Sequence, residues 1–110
     1  MANHILKEDP EQFKALLKGQ RLFEIRVNDR GFSAYDHLLL VVTKFSSDEM
    51  KAGAPLLYTG LAIKVEVISV NKNIPGVCDG WCVLELAENW DLFDDFSPDN
   101  PAWTEWAANK

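Results

Sequence analysis

The sequence predicts a small α+β domain: a strongly bent sheet or barrel of four or five strands, one early helix, and a tail ending in a short helix. Three observations carry this. Most apolar residues fall in strand-length runs that either alternate or are continuous. A single helix-like segment precedes them, and no regular β-α-β alternation follows. With 110 residues, 47% of them hydrophobic, the chain suits one core and is too short for two independent ones.

In order along the chain, His4 to Lys7 (HILK) reads as a short strand. Asp9, Pro10 and Gln12 form a helix start: Asp9 is placed to cap, Pro10 loses no bond at the first helical position, and Gln12 stands where a capping box needs it. Phe13, Leu16 and Leu17 share one face and Gly19 ends the segment, which predicts a helix from Pro10 to Lys18. RLFEIRVN is the first long strand. HLLLVVTKF (His37 to Phe45) is too continuously apolar for a one-sided strand and predicts burial on both faces. Ser46 to Leu56 reads as a polar loop broken by Gly53 and Pro55. From Tyr58 to Val70 the text alternates again, and WCVLELA (Trp81 to Ala87) reads as the last strand. Asn100, Pro101 and the run to Ala108 predict a terminal helix carrying Trp103 and Trp106. The expected division is therefore a barrel over 1–87 and an acidic, aromatic extension over 88–110, packed on the barrel.

Composition excludes several classes. No apolar run approaches the roughly 18–20 residues of a membrane span, and the N-terminus lacks a basic region followed by a long apolar core. Cys78 and Cys82 do not make a secreted disulfide scaffold, and with His4 and His37 they show no finger spacing; two reduced, partly buried thiols are expected, with no metal or other cofactor. A cytoplasmic location and no membrane partner follow as expectations. The formal charge of −6 is unevenly spread. Met1 to Ala87 holds 10 Lys and Arg against 11 Asp and Glu, and Glu88 to Lys110 holds 1 against 6. All three arginines, Arg21, Arg26 and Arg30, lie within ten positions of one another.

The stretch FEIRVNDRGF (Phe23 to Phe32) carries the functional question. Extended backbone points Glu24, Arg26 and Asn28 the same way, about 7 Å apart step to step. Arginine offers a planar fork of donors for a phosphate or carboxylate, and Glu and Asn can read donor groups on a base. Asp29 can fix the following turn and Arg30 can project from it. This is either one polar wall of a ligand cleft or a solvated strand face whose ion pairs are worth little.

Several motifs in order bear on the choice: H-x-L-K (His4 to Lys7), Pro10 and Phe13, G-x-x-x-x-E-I-R-x-N-D-R-x-F (Gly19 to Phe32), Asp36, and Y-T-G (Tyr58 to Gly60). Together they resemble the ASCH domains of the PUA-like superfamily of small RNA-related β-barrels, in particular a small branch of phages and bacteria. The resemblance covers roughly Asn3 to Ala87. It implies a bent barrel with a cleft beside the first helix and a role in binding RNA, nucleotides or modified nucleosides. The matching residues are His4, Lys7, Glu24, Arg26, Asn28, Asp29, Arg30, Tyr58 and Thr59. Structural roles stand beside these: His4 as a hydrogen-bonded strand residue, Tyr58 as a core aromatic, Thr59 and Gly60 as a strand start.

The chain departs from the family pattern at three places. Arg21 and Glu24 stand where enzymatic relatives, which resemble small amidohydrolases of acetylated cytidine, carry a lysine base and a threonine. Arginine stays protonated and cannot serve as that base, so the domain leans away from being an enzyme. Tyr35 replaces a glycine before Asp36, which predicts a different local backbone. Leu61 follows Y-T-G where a basic residue is common. The resulting expectation is a binding module for RNA or a nucleotide-sized ligand, in a cleft lined by Lys7, Arg21, Glu24, Arg26 and Arg30. Two alternatives remain: hydrolysis of a modified nucleoside with Lys7 or Glu66 as the base, and a protein-interaction or nucleic-acid-mimic role for the acidic tail, which would then take a protein partner.

Overall fold

The opening strand β1 (Asn3–Glu8) runs straight into helix α1 (Pro10–Leu17), as the local pattern requires. The computed structural model describes residues 1–19, 22–76 and 78–108. Pro10 sits in the first turn of α1, Phe13 and Leu16 are buried, and the Gly19 amide donates to the Leu16 carbonyl at φ +70°. The expected cap is not made. Asp9 occupies the cap position, but its Oδ1 accepts from the Ser47 amide (3.2 Å) and hydroxyl (2.9 Å). The side chain thereby ties the start of α1 to a second helix that the sequence reading missed. That helix, α2 (Ser47–Lys51), lies in the segment expected to be a loop, and Ser46 and Glu49 close it with a reciprocal capping box.

Four further strands complete the sheet: β2 (Phe23–Val27), β3 (His37–Thr43), β4 (Tyr58–Asn71) and β5 (Trp81–Phe93). Their order is β1-β3-β4-β5-β2, with β1 and β3 parallel and the other neighbours antiparallel. Register shifts at Val41/Thr43, Val65/Val67 and Val67/Ser69 bend the long strands. The result is a small α+β domain with a sheet curled into a half-barrel. β5 runs six residues beyond the expected end at Ala87, because Trp90 to Phe93 continue the ladder against Ala62 to Val65. The 87/88 division therefore falls inside a strand.

β3 explains its continuous apolar text by serving two cores. Leu38, Leu40 and Val42 face the interior with Leu6, Phe13, Ile63, Val65, Leu84 and Leu86. Leu39 and Val41 face outward with Ala62, where Phe93, Phe96, Trp103 and Trp106 cover them. The covering rings come from the end of β5 (Phe93), the link after it (Phe96) and α3 (Pro101–Ala108; Trp103 and Trp106), whose start is held by Asn100 Oδ1 accepting the Ala102 amide at 3.0 Å. Asn3 Nδ2 donates to the Trp106 carbonyl at 2.8 Å, docking α3 beside β1. Among the described residues no helix is long and apolar enough to cross a membrane.

The two edges of the half-barrel are β1 and β2, which are separated in sequence only by α1 and a short link. Among the described residues no strand pairing joins them. β2 is also turned opposite to ordinary fold economy. Glu24 is 3% exposed, whereas Phe23, Ile25 and Val27 are 46%, 50% and 45% exposed. The charged face points into the half-barrel beside Leu84 and Cys82, and the apolar face points out.

Candidate functional site

The open seam between β1 and β2 is a cleft of about 560 Å³ that wraps the edge of β2, so that residues of both its faces line it together with Gln12 of α1. β1 and the start of α1 contribute Leu6, Lys7, Glu8, Asp9 and Gln12; β2 contributes Phe23 to Val27; the following turn adds Asp29, Arg30 and Phe32; Trp81 closes the β5 side. The volume lies within the roughly 300–1,000 Å³ usual for compact-ligand pockets.

Two arginines span the seam. Arg26 Nη2 donates to the Lys7 carbonyl at 2.8 Å, and Arg30 Nη1 donates to the Ile5 carbonyl at 2.7 Å. Both carbonyls lie on the β1 edge that lacks a neighbouring strand, so the guanidinium groups satisfy acceptors that a sixth strand would otherwise take. Arg26 Nε also donates to Glu24 Oε2 at 3.1 Å, and its Nη2 lies 3.8 Å from Glu8 Oε2. The inward turn of β2 thus places two buried carboxylates and a quarter-exposed guanidinium at the base of the cleft. Arg30 pairs with Asp29 only at 3.9 Å in an exposed setting, which is worth little. Lys7 is exposed and makes no ion pair among the described residues.

The turn after β2 is fixed by other matching residues. Asn28 donates its amide to the Gly80 carbonyl (2.8 Å) and accepts the Phe32 amide on Oδ1 (3.2 Å). Gly31 takes φ +63°, which lets the chain reverse there. Asp36 then anchors three elements: its carboxylate accepts from the Ala2 amide (2.9 Å), the Ser33 amide (3.0 Å) and His4 Nε2 (2.9 Å). Burial pushes the Asp36 carboxyl up, but these donors outweigh it and hold it below the ordinary carboxylate range. The His4 ring packs edge-on against Phe32 at 4.8 Å. Tyr35 adopts φ +72°, the left-handed backbone that glycine takes freely.

The structure thus divides the residues singled out in the sequence. Lys7, Glu24, Arg26, Asp29 and Arg30 line the cleft. His4 and Asn28 hold its supporting turn and do not line it. Tyr58 and Thr59 lie outside the cleft lining: the Tyr58 ring meets Phe96 at 5.5 Å in the outer cluster, and Thr59 Oγ1 donates to the Val42 carbonyl at 3.2 Å. Glu66 lies 3.8 Å from His37 on the β3–β4 pair, outside the cleft lining, so it cannot serve as a base there. Arg21 lies outside the described residues. Glu8, Gln12, Phe23, Ile25, Val27 and Trp81 also line the cleft and were not singled out in the sequence, because they meet there only through the pairing of strands distant in the chain.

A family model described as a domain of unknown function, DUF3850, matches residues 3–86 of this chain. The chain belongs to the DUF3850 family. That match spans both edges of the half-barrel and every described residue lining the cleft, while α3 and the end of β5 lie beyond it. No curated protein matches the chain. Among the described residues of this DUF3850 protein, no three His, Cys, Asp or Glu side chains are grouped to hold a metal ion. Cys82 is buried and burial raises its thiol above the ordinary range, whereas Cys78 is exposed, contrary to the expectation that both are partly covered.

Proposed function

We propose that this DUF3850 domain binds RNA, or a nucleotide-sized piece of it, in the cleft between β1 and β2, and that the domain is an ASCH-like member of the PUA-like superfamily. The observation that supports this best is the joining of Lys7, Arg26 and Arg30 with Glu24 around one cleft beside α1. Lys7 and Arg30 hold a phosphate at the rim; each arginine has donors beyond those already directed at β1 carbonyls. Glu24 holds the Arg26 guanidinium in place at the base of the cleft. The ordered motifs and the half-barrel support the ASCH-like reading. Calorimetric titration of nucleotides and short RNA at two salt concentrations tests it. Wild type should bind saturably and lose affinity with salt, and Lys7→Ala/Arg30→Ala should bind at least about tenfold more weakly, the loss of one or two charge-assisted contacts. Equal binding by wild type and double variant would remove the reading.

Hydrolysis of a modified nucleoside is a second reading with one supporting observation: Glu8 and Glu24, both buried, flank Arg26 at the base of the same cleft. A buried carboxylate is a suitable general base. Turnover of acylated nucleosides by wild type, abolished in Glu8→Gln, would support it; no turnover above buffer ends it.

A further inference from the structure

We infer that the cleft takes a single nucleotide, its base stacked on Trp81, and not a nucleic-acid strand. This rests on the nucleotide reading above and narrows it. Two independent features of the seam carry it: an unusual apolar wall and a small, nearly neutral charge set.

The wall arises because β2 is turned inside out. Phe23, Ile25 and Val27 stand at alternate positions on its outward side, and strand register places Trp81 directly beside Val27. All four line the cleft, and Trp81 is 40% exposed. The wall spans about 13 Å along β2 from Phe23 to Val27. Apolar side chains grouped along one cleft wall suit the apolar face of a ligand. A planar heteroaromatic ring fits, since an indole face stacks on any base regardless of its hydrogen-bonding edge. Across the cleft the rim holds two exposed cations, Lys7 and Arg30, within reach of the same ligand. A ring at one side and a single anionic group at the other describe a nucleoside monophosphate.

The charges argue against a longer strand. The described lining holds three bases, Lys7, Arg26 and Arg30, against four acids, Glu8, Asp9, Glu24 and Asp29. Arg26 is already engaged by Glu24, Glu8 and the Lys7 carbonyl. Among the described residues that leaves two rim cations, Lys7 and Arg30, enough for one phosphate. Strand binding draws on several phosphate contacts in a row, and the described cleft supplies no such row.

Calorimetry on the full chain tests the inference with the four nucleoside 5′-monophosphates, ribose 5-phosphate and a single-stranded RNA hexamer, on wild type, Trp81→Ala and Trp81→Phe. At least one mononucleotide should bind, with Trp81→Ala weakening it roughly tenfold or more and Trp81→Phe staying within about threefold. Ribose 5-phosphate should bind weakly and equally to all three proteins. The hexamer should bind no tighter than the best mononucleotide. Undiminished mononucleotide binding by Trp81→Ala, or a hexamer at least about tenfold tighter, overturns this inference and leaves the nucleotide reading standing. A wild type that binds no nucleotide removes both. A wild type that is dimeric in sedimentation, with Trp81→Ala monomeric, assigns the wall to a second copy and overturns it too.

Discussion

Asp36 is the residue on which most of the cleft's support converges. One carboxylate, 2% exposed as a residue, holds the N-terminal amide of Ala2, the turn at Ser33 and the ring of His4. Its folded-state affinity for protons is depressed below the ordinary value of 3.8, so its contribution is present above that pH and is lost as pH falls through the folded value. Asp36→Asn keeps the shape but replaces one acceptor oxygen by a donor facing other donors. It should lower stability by about 2–3 kcal/mol near neutrality and flatten the loss of stability below pH 4, read from urea midpoints across pH. Tyr35, next to it, gives the opposite sign. The side chain is exposed and the backbone is left-handed, so Tyr35→Gly removes strain of about 1–2 kcal/mol and adds about 0.5–1 kcal/mol of unfolded-state entropy cost. The variant should be unchanged or up to about 1.5 kcal/mol more stable, and its thermal midpoint checks this.

β2 shows what the sequence makes legible at the level of an element and what it does not. Its alternation predicts a strand correctly, and Phe13, Leu16 and Gly19 mark α1 with its end to within a residue. Alternation alone does not say which face is inside. That was set by tertiary context: α1 and β1 leave a seam that guanidinium groups can bridge, and bridging needs Arg26 and Glu24 on the inner side. The same gap hid Trp81 and Ile25 as cleft residues. α2 was missed for a different reason, since Ser46 to Glu49 spell a capping box in a segment without an apolar stripe, and the helix buries no residue. The seam predicts a measurable cost. Arg26→Met removes a cation beside two buried carboxylates and a donor to the β1 edge. It should destabilise by about 2–3 kcal/mol, less than a fully buried pair because Arg26 remains partly wet. Chemical denaturation with an unchanged urea dependence would verify that the loss is local to the native state.

For the whole molecule, the sheet divides an open cleft from a packed outer face. The cleft occupies the open seam, and the outer faces of β3 and β4 are covered by Phe93, Phe96, Trp103 and Trp106 from the chain's end. The tail's acids Asp94, Asp95, Asp99 and Glu105 stay exposed while its rings are held against the sheet. Removing Asp95 to Lys110 should uncover Leu39, Val41 and Ala62 and cost at least about 4 kcal/mol, given roughly 1.5–3 kcal/mol for each large side chain buried. Increased binding of a hydrophobic dye and a lower melting point would register it; an unchanged melt would contradict the packing described. The most direct measurement of binding at the seam is an amide NMR titration of the full chain with nucleoside monophosphates. Shifts should concentrate at Leu6 to Asp9, Phe23 to Val27, Asp29, Arg30 and the Trp81 indole, with the tail tryptophans Trp103 and Trp106 silent. Shifts confined to the tail side, or none at millimolar nucleotide, would contradict the cleft as the binding site.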